Sequence, residues 1–189
     1  VDRSAARFLT PMEGERTCST PHLAISLPGA RWNIERVLDA IGDPACWRPH
    51  LKTTKLSELW KLMLEAGLDR FKCSTTLELA NLLAIAPDVD CLLAHHLDDA
   101  GMRTLEVLAD SYPAARIATL VESTEDVERV PEGVGVFVDV NPGMNRTGIK
   151  CTEQDRILEM IRTCGSRWRG IHFYDGHIRN GTEQARREQ

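Results

Sequence analysis

Arg48, His50, Lys52 and Lys55 fall within one short segment, Trp47-Arg48-Pro49-His50-Leu51-Lys52-Thr53-Thr54-Lys55. The segment lies where an apolar stretch meets a helix start, and parallel α/β proteins keep their chemistry at such junctions. A lysine held there can be partly desolvated, which lowers its pKa and frees the amine to form a Schiff base with a carbonyl. An ordinary basic loop has the same composition, and taken alone the segment divides the two readings evenly.

Two further clusters add chemistry. In Asp139-Val140-Asn141-Pro142-Gly143-Met144-Asn145-Arg146-Thr147-Gly148, two glycines bracket an arginine just after an apolar run. Glycine lets the chain turn back with positive φ, and the arginine can then reach an anionic oxygen. A solvated arginine on a surface turn is the plainer reading. In Gly170-Ile171-His172-Phe173-Tyr174-Asp175-Gly176-His177, aromatic, acidic and imidazole groups leave one strand end together. Tyr174 can stack on a planar ligand, and His177 can exchange a proton near neutral pH. Alternation sets His172 and Tyr174 on one face and Phe173 and Asp175 on the other. His172 reads better as a satisfied core or helix-packing residue. His95 and His96 are adjacent, so on a strand they point opposite ways. One of them lines the mouth, and the pair itself is not read as a metal site.

These residues need a frame, and the chain alternates. Residues 1–19 are polar and irregular and read as a mobile lead-in. Pro21–Leu27 reads as a short strand and Ala30–Ile41 as an amphipathic helix. Strand–helix pairs follow: Cys46–Lys52 with Ser57–Ala66, where Ser57 is the expected N-cap; Asp69–Ser74 with Thr76–Ile85; Val89–His95 with Met102–Ser111. Then come Arg116–Glu122 with Thr124–Val130, Val134–Val140 with Thr152–Thr163, and Trp168–Phe173 with a helix opening at Gly181. The strands are short and rich in Val, Ile and Leu, as buried parallel strands are. The rhythm predicts a parallel α/β fold, read as an incomplete (β/α)8 barrel holding about six of the eight units. A six-stranded open sheet is the alternative, weakened because no G-x-G-x-x-G follows the first strand. In a barrel the strand ends converge, bringing together Lys52, Ser74, His95, His96, Glu122, Asp139, Asn141, Tyr174, Asp175 and His177.

Composition narrows the function classes. At 189 residues the chain can bury a core. A net charge of −5 gives no electrostatic case for nucleic acid or an anionic membrane. No apolar run reaches the ~18 residues of a membrane span. No signal-peptide core opens the chain, and Val1 stands where an initiator Met would. Six scattered cysteines without a C-x-x-C pair suit a reducing cytoplasm and give no zinc spacing.

Together, R-P-H-L-K-T-T-K, D-V-N-P-G-M-N-R-T-G and G-I-H-F-Y-D-G-H resemble the fold-type III pyridoxal-phosphate proteins. Within that superfamily the chain is most similar to the D-threonine aldolase and D-serine dehydratase branch, whose barrel is of alanine racemase type. The similarity runs from about Thr20 to His177. It implies that Lys52 bears pyridoxal 5′-phosphate, that Arg146 bonds the cofactor's phenolic oxygen, and that Tyr174 lies against the pyridine ring. His50 and Arg48 would orient the strand or the lysine. His177 would be the base at a β-hydroxyl. Two departures are visible: Thr54 stands where the family has histidine, and Asn141 replaces an aspartate. The 20–28 strand would pair with a C-terminal β-domain outside this chain. That domain, in the full-length protein only, would carry a divalent metal; no residue here is assigned to it.

The resemblance implies a cytoplasmic lyase acting on a β-hydroxy-D-amino acid, with retro-aldol cleavage of D-threonine to glycine and acetaldehyde ahead of D-serine dehydration or racemisation. A homodimer is expected for the full-length protein. A cofactor-binding homeostasis protein without turnover, or an inactive fragment, is the reading of another class.

Overall fold

A computed structural model describes residues 23–178. The expected lead-in, the start of the first strand and the helix at Gly181 lie outside those residues. The described chain forms two compact units, one from the described parts of 1–48 and 56–69, the other from 49–55 and those of 70–189.

The first unit holds α1 (Leu27–Ile41) and α2 (Ser57–Glu65). Ser26 caps α1, its hydroxyl accepting from Gly29 N–H at 3.2 Å, and Pro28 sits in the first turn, where no N–H is needed. That start signal shortens the strand expected over Pro21–Leu27: Leu27 is already helical, and Leu23–Ser26 joins no ladder among the described residues. The N-cap of α2 is Leu56, in extended conformation, and not Ser57, whose hydroxyl instead bonds Glu58 within the helix.

The second unit is a parallel sheet with alternating helices, the incomplete α/β barrel-type fold that the rhythm predicts. Its elements are β1 (Arg70–Cys73), α3 (Thr76–Leu83), β2 (Asp90–Leu93), α4 (Asp99–Ser111), β3 (Arg116–Val121), α5 (Thr124–Arg129), β4 (Gly135–Asn141), β5 (Ile149–Lys150), α6 (Gln154–Cys164) and β6 (Trp168–Phe173). The sheet order is β1-β2-β3-β4-β5, with β6 also paired to β4, and every pairing is parallel. The two-residue β5 was not expected from the sequence.

The strand expected over Cys46–Lys52 is a correction. It is two 3-10 turns, Pro44–Cys46 and Leu51–Thr53, and within it His50 alone makes a bridge, to Lys72 of β1. Asp43 and His50 each cap the turn that follows with a side-chain acceptor, which curls the chain, and Pro49 has no N–H to give a ladder.

Register decides what each face carries, because alternate residues of paired strands share a face. Phe71, Cys73, Cys91, Leu93, Ile117, Val121, Val136 and Val138 form one face, all of them buried. That face meets α3, α5 and α6. The other face packs Leu92, Ala118 and Leu120 with Ala94 and Phe137. In the direction of the strands it continues to Ser74, Glu122, Asp139, Asn141, His172 and Tyr174. The polar ends expected at the mouth therefore rise from one apolar floor.

Candidate active site at the strand ends

His50 is the hinge between the lysine segment and β1. Its Nδ1 accepts the Lys52 N–H at 3.3 Å, so Nε2 carries the proton toward Ser74 Oγ, 3.1 Å away. Burial, reinforced by the nearby positive charges of Lys52 and Lys72, lowers the imidazole from its ordinary value to about 4. His50 is thus neutral at pH 7. Lys52 itself is exposed, so the described residues do not supply the desolvation expected for it.

The arginine loop is held by Asn141. Its Oδ1 accepts from Gly143 N–H at 2.9 Å and from Asn145 N–H at 3.0 Å, while Nδ2 donates to Asn145 Oδ1 at 3.2 Å. A carboxylate could accept the first two bonds but could not donate the third. Gly148 closes the loop at φ 94°, where a Cβ would stand 2.8 Å from the Asn141 nitrogen. Its N–H is bound by the Glu122 carboxylate. The loop presents Arg146, whose guanidinium carbon lies 4.9 Å from the centre of the Tyr174 ring. Lys52 Nζ lies 6.0 Å from the same centre. Two sequence motifs far apart in the chain thus meet on one tyrosine. His177 is exposed just beyond, with Nε2 about 3.5 Å from where a Cβ on Gly143 would be.

Asp139 anchors a second group. Its Oδ1 meets His172 Nδ1 at 2.7 Å, as the register pairing Asp139 with His172 requires. Burial opposes its ionisation, but the hydrogen bond with His172 and the nearby polar groups of His96 and Thr147 outweigh that, holding the carboxyl below the usual carboxylate range. His96 Nε2 lies 3.6 Å from Asp139 Oδ2 and 3.7 Å from Glu122 Oε2. Asp139 raises the His96 pKa; burial works against this, and Glu122 adds to it. His172 is satisfied, as its sequence suggested, but by an acid on the site face and not by helix packing. The sequence placed Glu122, Asp139 and one of the two histidines at the mouth without linking them. Alternation places Asp139 and His172 each on a definite face of its strand, but only the register makes them neighbours, and nothing in the sequence shows the reach of His96.

Residues 25–189 match the family described as alanine racemase, N-terminal domain. The chain belongs to that family. This is the barrel of the fold-type III pyridoxal-phosphate proteins that the three motifs resembled. No curated protein matches the chain. Among solved structures, the family's fold recurs in D-threonine aldolase from Filomicrobium marinum, at 22% identity and TM-score 0.73 over 85% of this chain and 46% of that one. It recurs in D-threo-3-hydroxyaspartate dehydratase from Delftia sp. HT23, at 21% identity and TM-score 0.73 over 83% and 44%. An alanine racemase-like protein from Idiomarina loihiensis aligns at 22% identity and TM-score 0.68 over 82% and 43%. The chain spans less than half the length of each of these structures. Among the described residues no helix is long and apolar enough to cross a membrane.

Proposed function

We propose that this chain is the cofactor-bearing part of a pyridoxal-phosphate-dependent lyase acting on a β-hydroxy-D-amino acid, with D-threonine as substrate and retro-aldol cleavage as reaction. The observation that carries the proposal is the convergence of an amine, a guanidinium and an aromatic ring: Lys52 and Arg146 both stand at Tyr174. The donor set suits the cofactor. Lys52 is a primary amine able to hold an aldehyde as a Schiff base, Arg146 a permanent cation for an anionic oxygen, and Tyr174 a flat face for a pyridine. When bound, pyridoxal phosphate supplies an electron sink for charge left at the substrate's Cα.

The remaining work falls to the chain's own residues. His50, neutral and fixed between Ser74 and the Lys52 backbone, orients the lysine without adding a competing positive charge. Asn141 holds the loop that presents Arg146. His177 Nε2 takes the proton of the substrate's β-hydroxyl as the Cα–Cβ bond opens. A homodimer in the cytoplasm is the working form of the whole protein in this reading. Dehydration of a β-hydroxy-D-amino acid is the second reading, favoured by a fold likeness to the dehydratase equal to that for the aldolase.

Borohydride reduction of the protein mixed with pyridoxal phosphate, followed by peptide mass analysis, tests the cofactor assignment. The adduct is expected on Lys52 and is expected to vanish in Lys52→Ala. An adduct elsewhere, or none, overturns it. Acetaldehyde from D-threonine separates the aldolase from the dehydratase, which would release a keto acid and ammonia.

A further inference from the structure

The geometry points to a divalent-cation site formed by His96, Glu122 and Asp139, on residues to which the cofactor reading gives no role. One ligand atom from each of the three lies within 4.8 Å of the other two. They combine an imidazole nitrogen with two carboxylates, a donor set typical of zinc-like cations.

Proximity of acidic groups alone would not make a site. What singles this one out is the state of Asp139. Its side chain is only 3% exposed, and its Oδ2 has no hydrogen-bond partner among the described residues. His96 Nε2 is likewise buried without a hydrogen-bond partner. A buried carboxylate oxygen and a buried imidazole nitrogen left unbonded are each costly, and here the two face one another.

The spacing distinguishes a cation from a proton between them. A charge-assisted N–H···O bond would draw the atoms to about 2.7–2.9 Å. They stand at 3.6 Å and 3.7 Å instead. Ligand atoms bound to one ion at about 2.1 Å, at angles between tetrahedral and trigonal, stand roughly 3.4–3.6 Å apart. The first separation lies at the upper end of that spacing and the second just above it, and both exceed hydrogen-bond contact. The outer contacts also suit ligation: His172 holds the other Asp139 oxygen at 2.7 Å, and the Gly148 N–H fixes Glu122 by donating to Oε2, the oxygen that faces His96. Three protein donors leave a fourth position for water or an anionic ligand oxygen, on the sheet face that carries Tyr174.

The test is a titration of the chelator-stripped protein with Co²⁺, read by visible d–d absorption, and with Zn²⁺, read by calorimetry, without pyridoxal phosphate. One equivalent of Co²⁺ with the intense spectrum of a low-coordinate N/O site is expected. His96→Gln and Asp139→Asn should each weaken binding at least about tenfold. Circular dichroism and thermal melting check that the variants are folded; His96→Gln, at the less buried position, retains the test should Asp139→Asn unfold. No stoichiometric binding, binding unchanged in folded His96→Gln, or a thiolate charge-transfer spectrum from a cysteine site overturns the proposal. Because no cofactor is present, this result is separate from the Lys52 adduct: either can fail while the other stands.

Discussion

At the scale of single residues, His50 shows how an ordinary side chain is specialised by its contacts. It accepts from Lys52 N–H, stands by Ser74 Oγ, and is held neutral down to about pH 4 by burial and by Lys52 and Lys72. In the unfolded chain the same imidazole titrates near 6.5. Between those values the unfolded state binds the extra proton, so His50 makes stability fall as pH drops from about 6.5 toward 4. His50→Gln should flatten that limb of a melting-temperature profile relative to the unsubstituted protein, and proton NMR should find the His50 ring titrating near pH 4. Superimposable acid limbs would refute the assignment. The sequence singled out His50 for its position two residues before Lys52. It could not show that the other ring nitrogen faces Ser74 Oγ, because Ser74 lies 24 positions away.

At the scale of elements, the loop between β4 and β5 turns a run of small and polar residues into a presentation device for Arg146. Gly148 has φ 94°, and a Cβ there would collide with the Asn141 and Val140 backbone at 2.8 Å. Gly148→Ala should therefore cost about 1–3 kcal/mol, read as a lower urea midpoint at unchanged slope. It should also weaken pyridoxal-phosphate binding, because displacing the Gly148 N–H releases Glu122 and shifts Arg146. A variant as stable as the parent would show that the loop relaxes freely. The two glycines bracketing the arginine were visible in the sequence, and so was the replacement of an aspartate by Asn141. That the amide gains a bond to Asn145 was not. Boundaries went astray where local capping overrode apolar pattern: Ser26 and Pro28 start a helix at Leu27, the last residue of the strand expected over Pro21–Leu27, and Asp43 and His50 curl a segment whose apolar residues suggest an extended one.

At the scale of the molecule, β6 is where the described sheet stops being covered. Val136 and Val138 of β4 are fully buried under α6, whereas Ile171 and Phe173, on the same face of β6, are 47% and 58% exposed. Apolar strand residues open to water favour association. The 189-residue chain alone should gain apparent mass with concentration in analytical ultracentrifugation, and Ile171→Ser with Phe173→Ser should reduce this. A concentration-independent monomer would contradict it. By itself the sequence determined the parallel α/β class, through short Val-, Ile- and Leu-rich runs alternating with helical periods, and it determined the family through three local motifs. Those properties are local, set by neighbours along the chain. The tertiary structure alone decided that Lys52 and Arg146 share Tyr174, and that His96, Glu122, Asp139 and His172 form one group. Their meeting depends on strand register and on where each strand ends, and no spacing along one strand encodes its offset from the next.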